Sequence, residues 1–144
     1  MFLGHFGVAF GAKRYAPTAG LGVLFLAAQF VDVLWPTLLL LGVERVAIVP
    51  GITTVTPLDF QHYPVSHSLA AVIGWAALLG GAYYAMFRSR RAAWVIAALV
   101  VSHWFLDLVV HRPDLPLAPG HEARLGLGLW NSLPAILHMA DSRE

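Results

Sequence analysis

Ala92-Ala-Trp-Val-Ile-Ala-Ala-Leu-Val-Val-Ser-His103-Trp-Phe-Leu-Asp107-Leu-Val-Val110 is a nearly unbroken apolar run that carries a histidine and an aspartate toward its end. At 1.5 Å of rise per residue, a helix over this run is long enough to cross the hydrocarbon core of a bilayer. An ionised aspartate at that depth is costly, so it is normally paired, turned to a cavity or functional. His103, Asp107 and His111 recur every four residues, which sets them along one helix face with a drift of about 40° per step. A His-xxx-Asp pair on one face can give two ligands to one metal ion, as the two histidines of HExxH do.

The same pattern extends outward from this stretch. Leu21 to Val43 is apolar except for Gln29 and Asp32, and Pro64 to Phe87 forms another run of spanning length. Met1 to Ala12 is apolar but has its cations, Lys13 and Arg14, after it rather than before it, so it reads as a retained first helix and not a cleaved signal. It is too short to span alone, and Gly7 and Gly11 form a small-xxx-small pair that would let another helix approach closely. Val46 to Val55 places two β-prone runs around Pro50-Gly51 and predicts a small surface hairpin. Leu125 to Ala140 is a last apolar stretch.

Composition agrees. Of 144 residues, 58% are hydrophobic and 12% charged, about half the charged share of a soluble domain. The expectation is an all-α integral membrane bundle of about four membrane-embedded helices, the short N-terminal one included, as one domain over residues 1–144. The absence of cysteine excludes disulfides, thiolate metal sites and a cysteine nucleophile. A formal net charge of +1 gives no basic stripe for nucleic acid. Cations cluster in the short loops 13–20 and 88–91, which the positive-inside rule places in the cytoplasm, with the mixed-sign loops 44–63 and 111–124 outside.

This topology brings ionisable residues from several segments to similar depths. Asp32 lies past the midplane of its span, His67 near the outer end of the next, and His103 and Asp107 in the outer half of the third. His111 sits at that third span's end, and His5 reaches toward the middle from the short first helix. A divalent cation shared by Asp32 and Asp107 would neutralise both. Each residue alone has a plainer reading: Asp32 bonded to Trp35 or to a neighbouring helix, Asp107 paired with Arg112, His111 at the interface, His5 in packing. The set of His5, Asp32, His67, His103 and Asp107 favours a site. Asp59, His121 and Glu122 read as solvated loop residues, His62 as either solvated or an acid–base group, and His138 as packing or an extra ligand. The five tryptophans read as packing or interface anchors. Ser66 lacks the flanking pattern of a nucleophile elbow.

Read in order, Gly4-His-Phe-Gly-Val-Ala-Phe-Gly11, Phe30-Val-Asp32-Val-Leu-Trp-Pro36, Tyr63-Pro-Val-Ser-His67-Ser68, Ser102-His103-Trp-Phe-Leu-Asp107 and His111-Arg-Pro-Asp114 resemble the bacterial membrane-bound metal-dependent hydrolases, the YdjM-like inner-membrane proteins. The likeness runs from residue 1 to about residue 134. Its ligand order is also similar to that of zinc-dependent phospholipase C and the S1/P1-type nucleases. The resemblance implies that Asp32, His67, His103 and Asp107 hold one metal. It further implies that His5 joins a second, with Asp107 bridging, and that His111 is a further candidate ligand. The chain departs from the family after Asn131-Ser-Leu-Pro134. There Ala135-Ile-Leu-His138-Met-Ala140 leads into polar Asp141-Ser-Arg-Glu144, without the usual further hydrophobic stretch and its acidic residue.

Three functions follow as alternatives. The first is a metal-dependent hydrolase of the bacterial inner membrane, using zinc or manganese on a phosphoester or lipid-like substrate, with membrane lipids as its surroundings and an outward-opening pocket. The second is a transport or proton-relay protein, which needs a polar path to the cytoplasmic side; only Gln29 and Ser102 offer themselves. The third is a noncatalytic member of the family.

Overall fold

The structure, a computed structural model, describes residues 2–53 and 55–129. The chain is mostly helical. Four helices, α1 (Phe2–Ala12), α2 (Leu21–Leu40), α3 (Leu69–Phe87) and α4 (Arg90–Val110), carry two short antiparallel ladders between and after them. The ladders are β1 (Arg45–Ile48) with β2 (Leu58–His62), and β3 (Leu115–Pro116) with β4 (Arg124–Leu125). They add β structure that an all-α reading left out.

Three helices, α2, α3 and α4, are long and apolar enough to cross a membrane, at 20, 19 and 21 residues. That is about 30 Å each, and the arrangement is compatible with a multi-pass membrane protein. Their outward faces are apolar: Leu26, Val33, Ile73, Leu78 and Trp94 are all more than half exposed. In water such a surface would be a large uncovered patch. Residues 130–144 lie outside the described residues, and with them Trp130, the Asn131–Pro134 segment, His138 and most of the apolar stretch expected over Leu125 to Ala140.

α4 is the central helix and packs against α1, α2 and α3. Its buried positions Ile96, Leu99, Val100, His103, Trp104, Asp107 and Val110 recur at three- and four-residue steps, one stripe of a 3.6-residue helix. The site residues therefore occupy the outer end of the same stripe that makes the core. α3 turns into α4 through Arg88 and Ser89 alone. Arg88 adopts φ 55°, and Ser89 caps α4 by accepting from Ala92 N–H. The two helices then run close together. A Cβ on Gly80 would stand 2.9 Å from the Ala93 carbonyl oxygen, so only glycine lets the backbones meet there.

α2 contains Pro36, whose missing N–H leaves the Asp32 carbonyl without its helical partner. The helix ends in a Schellman turn: Val43 N–H reaches the Leu38 carbonyl and Gly42 N–H the Leu39 carbonyl, with Gly42 at φ 71°. The chain reverses there and brings Glu44 back against the bundle, 2% exposed.

Two local expectations are corrected. The hairpin partner of residues 45–48 is the later segment 58–62, in the register Val46–Phe60 and Ile48–Leu58, and not the run 52–55. The alternation that pairs best belongs to Leu58-Asp-Phe-Gln-His62, whose Phe60 packs on Trp35. Gly7 and Gly11 are exposed, and a Cβ on either would meet nothing within 4 Å. α1 instead buries His5 and Ala9. The pull of His5 toward the polar cluster sets the rotation of that helix.

Candidate metal centre

Three parts of the chain supply a cluster in which one donor atom from each of Asp32, His67, His103 and Asp107 lies within 4.8 Å of the others. Asp32 comes from α2 and His103 and Asp107 from one face of α4. His67 sits in the turn just before α3, where Ser68 caps the helix by accepting from Ala71 N–H and donates to the Pro64 carbonyl. His67, His103 and Asp107 are all buried, whereas the Asp32 side chain is one-third exposed.

Asp107 is the hub. Its Oδ1 is 3.2 Å from His5 Nε2, and its Oδ2 lies 3.2 Å from His103 Nε2 and 3.9 Å from the Nε2 of both His67 and His111. Asp32 Oδ1 is 3.5 Å from His103 Nε2 and 3.8 Å from His67 Nε2. The His5 ring stacks on His103, with centroids 3.9 Å apart. All six residues singled out from the sequence are thus brought together, four as one tight group and His5 and His111 through Asp107.

The ring orientations are set from behind. His103 Nδ1 lies 2.8 Å from the Ala28 carbonyl, which can only accept, so Nδ1 carries a proton and Nε2 is the ring nitrogen turned inward. His111 Nδ1 lies 3.1 Å from Asp114 Oδ1 and is tied in the same way. Tyr63 donates to that Asp114 oxygen at 3.0 Å. Burial, and then the Asp114 carboxylate beside it, holds the Tyr63 phenol above its ordinary ionisation range, so it remains a donor. His67 Nδ1 meets Ser66 Oγ at 2.7 Å, and Ser66 reaches Glu44 at 2.6 Å.

A divalent cation fits this arrangement. His103 Nε2 is buried and faces one oxygen each of Asp107, at 3.2 Å, and Asp32, at 3.5 Å. Two carboxylates converging on one buried nitrogen are balanced by a positive charge, either a proton on the ring or a cation between them. The contacts of 3.2–3.9 Å bracket the edge of about 3.4 Å that joins ligands around a tetrahedral ion with bonds near 2.1 Å. The second-layer partners are a backbone carbonyl on His103, a carboxylate on His111 and, on His67, a serine hydroxyl backed by a second carboxylate, and the first two are of the kind that orients ligating histidines.

Of the plainer pairings, Asp32 with Trp35 and Asp107 with Arg112 are not formed, while Asp32 does reach His103 of the neighbouring α4, at 3.5 Å. Arg112 bonds to Asp59 and Asp114 rather than to Asp107, so Asp59 is an ion-pair partner and not simply solvated. Trp35 Nε1 has no hydrogen-bond partner, so it does not serve Asp32. His111 is 4% exposed and part of the cluster's edge, at the extended residue that caps α4. His62, His121 and Glu122 are exposed. Sequence reasoning missed Glu44, taken as a loop charge, and the roles of Ser66, Tyr63 and Asp114. The last three lie inside the motifs quoted for the resemblance, but nothing in those motifs says which way their side chains bond. The chain matches no protein-family model, no curated protein and no solved structure.

Proposed function

We propose that the chain is a membrane-bound, metal-dependent hydrolase that holds a divalent cation, zinc or manganese, between Asp32, His67, His103 and Asp107. His5 and His111 flank that position through Asp107, as the resemblance to the YdjM-like proteins implies. The observation that carries the reading is that one donor atom from each of Asp32, His67, His103 and Asp107, three of these residues buried, lies within 4.8 Å of the others. A cation held there supplies an acidified water and polarises the bond to be cleaved.

The chain's own groups do the rest. Asp107 lies within 3.9 Å of four imidazoles, and Ala28, Ser66 and Asp114 keep three of those rings turned the right way. Asp32, at 33% side-chain exposure, is the accessible edge of the cluster, where a substrate meets it. The apolar exterior supports an amphiphilic substrate, a phosphoester or lipid-like molecule drawn from the surrounding bilayer. The cation-rich loops 13–20 and 88–91 support a location in the bacterial inner membrane, with the pocket toward the outer face. A conducting role is disfavoured because Ser102, one of two candidates for a polar path, donates its hydroxyl to the Leu99 carbonyl of its own helix.

The test is metal content by mass spectrometry on detergent-purified protein, beside a His103→Ala, Asp107→Ala double variant. Stoichiometric metal in the parent and none in the variant is expected. A folded parent that neither carries metal nor takes it up on reconstitution rules the reading out.

A further inference from the structure

Glu44 stands outside the cluster, yet every donor it meets in this structure belongs to the segment that carries His67. Its Oε1 accepts from Val65 N–H at 2.9 Å and from Ser66 N–H at 2.8 Å, and its Oε2 accepts from the Ser66 hydroxyl at 2.6 Å. Ser66 Oγ also lies 2.7 Å from His67 Nδ1. A serine hydroxyl has one proton. With that proton given to the carboxylate, the second contact has to be a donation from His67 Nδ1–H to Oγ. A neutral imidazole has a single N–H, so Nε2 keeps a lone pair, and Nε2 is the atom that faces Asp32 and Asp107.

We propose that Glu44 is a positioning residue that acts through Ser66 to fix His67 as its Nδ1–H tautomer, keeping the Nε2 lone pair directed into the cluster. The purpose of this device rests on the metal-centre reading; its test does not. The Schellman turn at Gly42 serves the same end, since it folds Glu44 back under the turn that presents His67.

Glu44→Gln gives a determinate reversal. The two backbone N–H groups at Oε1 fix the amide oxygen there, so the NH₂ takes the place of Oε2 and donates to Ser66 Oγ. The Ser66 proton then turns to His67 Nδ1, which must accept, and the ring proton moves to Nε2. A nearly isosteric change blocks the atom that faces the cluster. Ser66→Ala instead removes the link and leaves the tautomer unfixed.

The experiment uses the full chain in detergent, metal-free, with ¹⁵N-labelled histidine, at a pH where the ring is neutral. His67 is assigned by the loss of its signals in His67→Gln. The ring-nitrogen shifts are expected to show Nδ1–H in the parent, Nε2–H in Glu44→Gln and a mixture in Ser66→Ala. Zinc titration of the same samples is expected to weaken by about 10–100-fold in Glu44→Gln and by less in Ser66→Ala. A proton on Nε2 of the parent overturns the proposal before any variant is made. It is equally overturned by a Glu44→Gln protein that keeps Nδ1–H, or that binds zinc no more weakly than Ser66→Ala. A parent with Nδ1–H that takes up no zinc removes the metal-centre reading and leaves the tautomer assignment standing.

Discussion

Asp107 contacts His5, His67, His103 and His111 within 3.9 Å, while His111 meets the cluster only at its rim. Their replacement should therefore differ in degree. Asp107→Asn keeps the shape but loses the charge, and is expected to weaken zinc binding by about 100-fold; His111→Gln is expected to cost about 10-fold or less. Equal losses in a competition titration would contradict the hub. These residues were legible in the sequence because an ionisable group in an apolar run costs too much to be incidental: His103 and Asp107 stand out against Val100, Trp104 and Leu108. Glu44 was not legible. It sits beside Arg45 at the start of a polar loop, where a solvated carboxylate is the default, and only the reversal at Gly42 turns it inward. The donor–acceptor logic around Ser66 depends on which oxygen each proton reaches, and residue spacing carries no such information.

Among the elements, the contact between α3 and α4 is closely constrained. A methyl group on Gly80 would press on the Ala93 carbonyl and on Ala97, whereas one on Gly81 would meet nothing within 4 Å. Gly80→Ala is expected to destabilise the folded chain by about 1–3 kcal/mol and Gly81→Ala to leave it nearly unchanged, as read from chemical denaturation in detergent. Matching curves for the two would show that the close approach does not matter. The helices were visible in the apolar runs, although Pro64 to Ser68 proved to be a turn that presents His67 rather than the first turn of α3. The hairpin was foreseen and its second strand misplaced, because pairing register depends on which face packs, here Phe60 on Trp35. Gly7 and Gly11 misled for a related reason: a small-residue pattern shows where a helix could be approached, and the rotation of α1 was decided by His5.

At the scale of the whole molecule, the asymmetry of the loops makes a prediction about orientation. The chain has no cysteine, so single cysteines introduced at exposed Val55 and Thr18 report without background. Val55→Cys is expected to react with an impermeant maleimide on intact cells, and Thr18→Cys only after permeabilisation. The reverse result would turn the metal centre toward the cytoplasm.

The cluster draws Asp32 from α2 and His103 with Asp107 from α4, and this separation governs how the protein is made. α2 leaves the ribosome well before α4 exists, with Asp32 unneutralised. The Leu, Val and Phe residues of Leu21–Leu40 each return about 0.3–0.6 kcal/mol against the roughly 3 kcal/mol that one aspartate costs near the centre of a spanning helix. In a membrane-inserted chain that carboxylate waits until α4 brings its partners. Under the proposed metal reading, loading waits for α4: a chain stalled before it lacks His103 and Asp107 and cannot assemble the four-residue group.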